Sequence, residues 1–115
     1  MPIIQKLISA YKLWREYFIH FDKIFRYGLG LELDSLFINT IKNVFIASYK
    51  SRDKKLIHLT KASEELDLLK LLLRVAWEIK ALDNKKYIAL SEKLNEVGKM
   101  LGGWIKTTPP ISGRG

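Results

Sequence analysis

Apolar residues recur at alternating spacings of three and four along nearly the whole chain. In YIALSEKLNEVGKMLGGWIK they fall at Tyr87, Leu90, Leu94, Val97, Leu101 and Trp104, with charges between them. This is the seam of a helix that packs on other helices. The same period puts Ile4, Leu7, Tyr11, Trp14, Phe18 and Phe21 on one stripe of a first helix, over about 3–21. It puts Leu29, Leu33, Phe37, Ile41 and Val44 inward on a second helix, over about 23–50. Leu59, Ala62, Leu66, Leu69, Leu73 and Ala76 do the same on a third, over about 53–82, and the seam described first belongs to a fourth, over about 84–105. No strand alternation and no glycine-rich phosphate loop competes with this pattern.

The punctuation between helices agrees with it. Asp22 stands where an N-cap is needed, Ser51 or Asp53 can cap the third helix, and Asp83 or Asn84 marks the next break. Gly102 and Gly103 loosen the fourth helix, and Thr107, Thr108, Pro109 and Pro110 end it. Gly28 and Gly30 each cost about 1 kcal/mol relative to alanine inside a helix. They mark either a frayed first turn or a close approach of another backbone, and close approach is the reading adopted. Connections this short make sequential helices antiparallel, so the expectation is an all-α, up-down-up-down four-helix bundle over residues 1–106, with 107–115 as a flexible C-terminal tail.

The helices carry more apolar surface than one bundle requires. Leu68, Leu72, Val75, Ile79 and Leu82 form a second stripe on the third helix, and Ile38, Phe45 and Tyr49 lie outside the seam of the second. A wide core contact or a subunit interface would each cover them.

Charge changes the picture further. The 115 residues hold 20 Lys and Arg against 12 Asp and Glu, a net charge of +8. In an up-down bundle Lys6, the second connection with Lys50, Arg52, Lys54 and Lys55, and Lys99, Lys106 and Arg114 project toward one pole, where only Asp53 opposes them. Lys23, Arg26, Lys80, Lys85 and Lys86 collect at the other pole and are partly offset by Asp22, Glu78 and Asp83. A solvated lysine face is one meaning of such runs, and contact with the phosphates of RNA or DNA is the other. The eight nucleic-acid candidates are Lys50, Arg52, Lys54, Lys55, Lys99, Lys106, Lys23 and Arg26. No base-reading module is evident, and most aromatics are committed to seams, although Tyr17, Tyr27 and Tyr49 are candidates for partial exposure. Binding is therefore expected to be led by backbone and shape.

Catalytic and metal readings find no support. There is no Glu-x-x-His for a di-iron site, Glu16 and His20 form a pair without further ligands, His58 is isolated, and no serine or threonine has a convincing His–acid partner. The expectation is no enzyme, no catalytic or metal residues and no cofactor. Without cysteine there is neither a disulfide nor a thiolate zinc site. Asp67, Lys70, Arg74 and Glu78 interrupt the most hydrophobic stretch, so no membrane span is expected, and MPIIQKL lacks the features of a cleavable leader, making the cytoplasm the default. These four charges share one helical face, either as an ion-pair ladder or with Lys70 and Arg74 facing a protein partner.

Three phrases, FDKIFRYGLG (21–30), LDLLKLLLR (66–74) and LGGWIK (101–106), resemble a four-helix bundle family over about residues 3–106. Its members include the accessory variability determinant of diversity-generating retroelements and the proteins encoded by intervening sequences of bacterial 23S ribosomal RNA. The phrases look most like the retroelement branch, since Phe45-Ile46-Ala47-Ser48-Tyr49 stands where the ribosomal branch has Asn-Ile-Ala-Glu-Gly. Asp22 replaces the proline usual in the family at the start of the second helix, and either residue starts a helix. The resemblance implies a homopentameric, barrel-like assembly with a basic surface. It also implies association with a reverse transcriptase and RNA in support of error-prone complementary-DNA synthesis, without chemistry of its own. The alternative is a structural oligomer whose apolar helix faces serve a protein partner and whose lysines only solubilise it.

Overall fold

Four long helices and one single-turn helix account for residues 1–109, the part of the chain described by the computed structural model. They are α1 (Pro2–Phe18), α2 (Lys23–Arg26), α3 (Leu29–Tyr49), α4 (Arg52–Glu78) and α5 (Asn84–Thr107). No strand occurs among the described residues. α3 packs on α1 and α4, and α5 packs on α1 and α4, so the long helices form a closed square around one core. The body measures 52 × 22 × 21 Å. At about 1.5 Å rise per residue, the 27 residues of α4 cover about 40 Å of that length.

The seams decide what the core contains. Leu59, Ala62, Leu66, Leu69, Leu73 and Ala76 are all buried on α4, as are Leu90, Leu94, Val97 and Leu101 on α5, with Tyr87 and Trp104 half-buried at the ends of that seam. On α1 the buried line is Ile3, Leu7, Ala10, Trp14 and Phe18, with Ile4 and Tyr11 on its flank. Trp14 anchors the core by packing against Phe18, Phe21 and Phe37 at centroid distances of 5.7–5.8 Å.

The second helix expected over 23–50 is two pieces. α1 stops at Phe18 rather than Phe21, tightening through His20 N–H to Tyr17 O and Phe21 N–H to Phe18 O. Asp22 Oδ1 then accepts from Phe25 N–H at 3.0 Å and starts α2. The chain breaks at Gly28, the N-cap of α3, and the carbonyl of Phe25 crosses so near Gly30 that a Cβ there would sit 2.9 Å from it. Break and close approach are both present. α4 begins at Ser51, whose side chain makes no cap bond, and α5 begins at Asp83, whose Oδ1 accepts from Lys86 N–H at 2.9 Å.

α4 ends at Glu78 instead of Leu82. Lys80 takes a left-handed conformation, φ 66°, while Ala81 N–H reaches back to Ala76 O at 2.9 Å and Lys80 N–H to Trp77 O at 3.0 Å. These two bonds make a Schellman stop without glycine. Leu82 follows the stop and tucks inward, 1% exposed, so it belongs to the core and not to the second stripe. α5 runs to Thr107, where Thr107 and Thr108 Oγ1 both donate to Trp104 O. Pro110, Arg114 and most of the expected tail lie outside the described residues.

Candidate nucleic-acid interface

The chain passes from α3 to α4 through only Lys50 and Ser51, which crowds Lys50, Arg52, Lys54 and Lys55 onto one end of the bundle. None of the four makes an ion pair among the described residues. Arg52, Asp53 and Lys54 are exposed, whereas Lys50 and Lys55 are half-buried because each lies against a ring. Lys50 Nζ is 5.8 Å from the Tyr49 centroid and Lys55 Nζ is 5.7 Å from that of Trp104 on α5. Three of these cations sit in the first turn of α4, where the helix dipole is already positive, so helix and side chains add to the field instead of cancelling. Lys106 is exposed near the C-terminal end of α5, at the same end of the bundle.

The remaining sequence-predicted cations are placed elsewhere or engaged. Lys6 does not contribute a free charge, because its Nζ meets Glu96 Oε1 at 2.7 Å and holds that carboxyl below its ordinary value. Lys99 lines a groove between α4 and α5 with Lys70, Ser63 and Asn95, well away from the last turn of α5. Lys70 lies over Gly98, where an added Cβ would come within 3.0 Å of Nζ. Arg74 pairs with Glu78 at 2.8 Å, both exposed. Among the described residues the ladder is therefore one rung long. Lys23 and Arg26 are on α2 at the opposite end, where the Arg26 guanidinium is 5.6 Å from the Tyr27 ring and its Nε is buried without a partner.

Glu16 and His20 are exposed, and no group of three or more potential metal ligands occurs among the described residues. His58 Nδ1 lies 3.1 Å from Asn43 Oδ1, and Asn43 Nδ2 donates to Glu65 Oε1 at 2.6 Å, a polar seam that joins α3 to α4. No helix among the described residues is long and apolar enough to cross a membrane.

Two separate apolar faces stay open. Leu31, Ile38 and Phe45 repeat every seven residues on α3, and Ile38 comes four residues after Asp34, which hydrogen-bonds to α1; this stripe therefore flanks α1. Ile57, Leu68, Leu71, Val75 and Ile79 lie open along α4. Leu72 is half-buried, while Leu71 and Ile57, absent from the sequence-predicted stripe, are exposed. Ile38, Phe45 and Tyr49, which the spacing leaves outside the seam of the second helix, are all exposed.

The family model described as bAvd-like matches residues 3–108. No curated protein and no solved structure matches the chain.

Proposed function

Because the chain belongs to the bAvd-like family, whose members are an accessory and non-catalytic kind of protein, we propose that it binds RNA or DNA beside a reverse transcriptase and supports complementary-DNA synthesis. The observation that carries this reading is the convergence of Lys50, Arg52, Lys54 and Lys55 on one end, where none of the four makes an ion pair among the described residues and Asp53 is the acid next to them in the chain. Cations left unpaired at one end suit phosphates, whose neutralisation releases condensed counterions. Lys106 extends the same surface. Lys99 with Lys70 forms a second, smaller cationic spot, partly offset by Asp67 in the same groove, and Lys23 and Arg26 form a third. Arg74 and Lys70 are the residues proposed to meet the enzyme, each by its own contact.

The two open apolar faces support a homo-oligomer. They are unlike one another, so the α4 face of one copy can cover Leu31 and Ile38 on the α1–α3 flank of the next, leaving the Phe45 end of that stripe open, and a head-to-tail contact of this kind closes into a ring when the rotation permits. A pentamer is the size the family suggests.

Binding to two RNAs of unrelated sequence, each measured across a salt series, tests the reading. Similar affinities that fall steeply with salt are expected. Absence of binding at low salt would contradict it and leave a structural oligomer, for which the apolar faces alone suffice.

A further inference from the structure

Phe45 and Tyr49 stand one turn apart near the C-terminal end of α3, and both are open to solvent, 57% and 61% exposed. Their centroids are 5.3 Å apart with the rings inclined at 64°, so each limits the rotamers of the other and the pair presents an ordered aromatic surface. Lys50 Nζ lies beside the Tyr49 ring, and the exposed Arg52 and Lys54 follow directly in the chain. Elsewhere the two open faces are aliphatic, with Leu31 and Ile38 on α3 and Leu68, Leu71 and Val75 on α4. Trp77, at the other end of the bundle, already has a partner, stacked on Tyr87 with the rings 10° from parallel.

We propose that Phe45 and Tyr49 are a stacking platform for unpaired bases of a single-stranded nucleic acid whose phosphates lie on Lys50, Arg52 and Lys54. The inference rests on the nucleic-acid reading above and narrows it to single strands. A duplex keeps its bases stacked on one another and offers this end only phosphates, whereas an unpaired base gains a ring to stack on. Charge chooses the occupant at this end: four cations follow the two rings in the chain, and a polyanion complements them where the apolar α4 face of a second copy does not. Backbone contact and stacking also separate physically, because phosphate neutralisation sets the salt dependence and ring stacking does not.

The test uses the full chain with a single-stranded RNA of about 20 nucleotides, the DNA strand of the same sequence, and the RNA duplex of the same length. Tyr49→Ala, and Tyr49→Leu as a variant that keeps apolar bulk without the ring, should weaken single-strand binding by roughly 5- to 150-fold per base lost from the platform, with the log–log salt slope unchanged. Duplex affinity and oligomer mass should stay as in the wild type, and Tyr49→Trp should retain single-strand binding. A larger loss on RNA than on DNA, or the reverse, identifies the preferred strand within the proposal. Equal losses on duplex and single strand, unchanged single-strand affinity in a folded Leu variant, or a change in oligomer mass would each overturn the platform. If the wild type binds none of the three probes, the nucleic-acid reading itself falls and takes the platform with it.

Discussion

The indole N–H of Trp14, in a side chain wholly buried on α1, donates to Oδ1 of Asp34 on α3 at 3.0 Å. Arg15 Nη1 reaches the same oxygen at 3.2 Å, and the Asp34 side chain is only 13% exposed. One carboxylate thus satisfies the only polar atom on the largest core side chain and ties α1 to α3, and its charge is answered by the neighbouring guanidinium. Without a partner, the buried indole N–H would carry its full desolvation penalty.

Asp34→Ala should therefore cost about 1–3 kcal/mol in chemical denaturation, and more than Asp34→Asn, whose amide oxygen can still accept. The Asp34→Ala, Trp14→Phe double variant should lose less than the sum of the singles, since the donor is gone with the acceptor. Additive losses would mean that the two residues stabilise the bundle independently.

Tyr11, beside the same carboxylate, gives a pH expectation. Burial first, then hydrogen bonding to the Asp34 carboxylate, and after that its charge, push the hydroxyl above the ordinary tyrosine value. The folded state then holds that proton more tightly than the unfolded chain, so its contribution is complete below about pH 10 and is lost as pH rises through the raised value. The wild type should lose more stability between roughly pH 9 and pH 11 than Tyr11→Phe does. Parallel pH profiles for the two proteins would contradict the assignment.

Much of this was legible in the chain for a physical reason. A helix buried on one side must repeat its apolar residues near every 3.6 positions, and the α4 seam from Leu59 to Ala76 is buried at every position the spacing named. What stayed hidden depends on local backbone geometry or on neighbours distant in sequence. Lys80 stops α4 in a conformation that glycine normally signals, and Leu82 turns inward only because of that stop. Lys6 looked free until α5 brought Glu96 to it, 90 residues away in sequence. Phe45 shares the heptad of Leu31 and Ile38, and spacing alone does not say whether a stripe faces core or solvent. The basic connection could be read directly, because four cations within six residues stay together in any fold.

Backbone geometry predicts opposite signs for two glycine exchanges. Lys80→Gly should stabilise the protein by up to about 1–2 kcal/mol, the cost a side chain meets in the left-handed region, reduced by the freedom glycine adds to the unfolded chain. Gly30→Ala should destabilise by about 1–3 kcal/mol, since the new methyl would press on the Phe25 carbonyl and ring. Thermal melts of both variants check this, and a shift of the same sign in both would show that the α2–α3 contact or the α4 stop is misread.

Assembly through the open α4 face is tested by mass. Light scattering of the wild type should give a multiple of the 13.4 kDa chain, and Ile79→Glu, at a position 60% exposed, should lower it while circular dichroism stays helical. A wild-type mass near 13.4 kDa, or an unchanged oligomer in the variant, would exclude that face from the assembly.

The most direct test of the nucleic-acid claim compares the two ends of the bundle in one salt titration. The Lys50→Gln, Arg52→Gln, Lys54→Gln, Lys55→Gln variant and the Lys23→Gln, Arg26→Gln, Lys80→Gln, Lys85→Gln variant each lose four cations, so their net charges match and only location differs. With single-stranded RNA, the first should weaken binding and flatten the log–log slope by up to about 3, because each lost phosphate contact removes about 0.7. The second should flatten it by clearly less. Equal changes in both variants, or a larger one in the second, would contradict the assignment of nucleic-acid binding to the α3–α4 end.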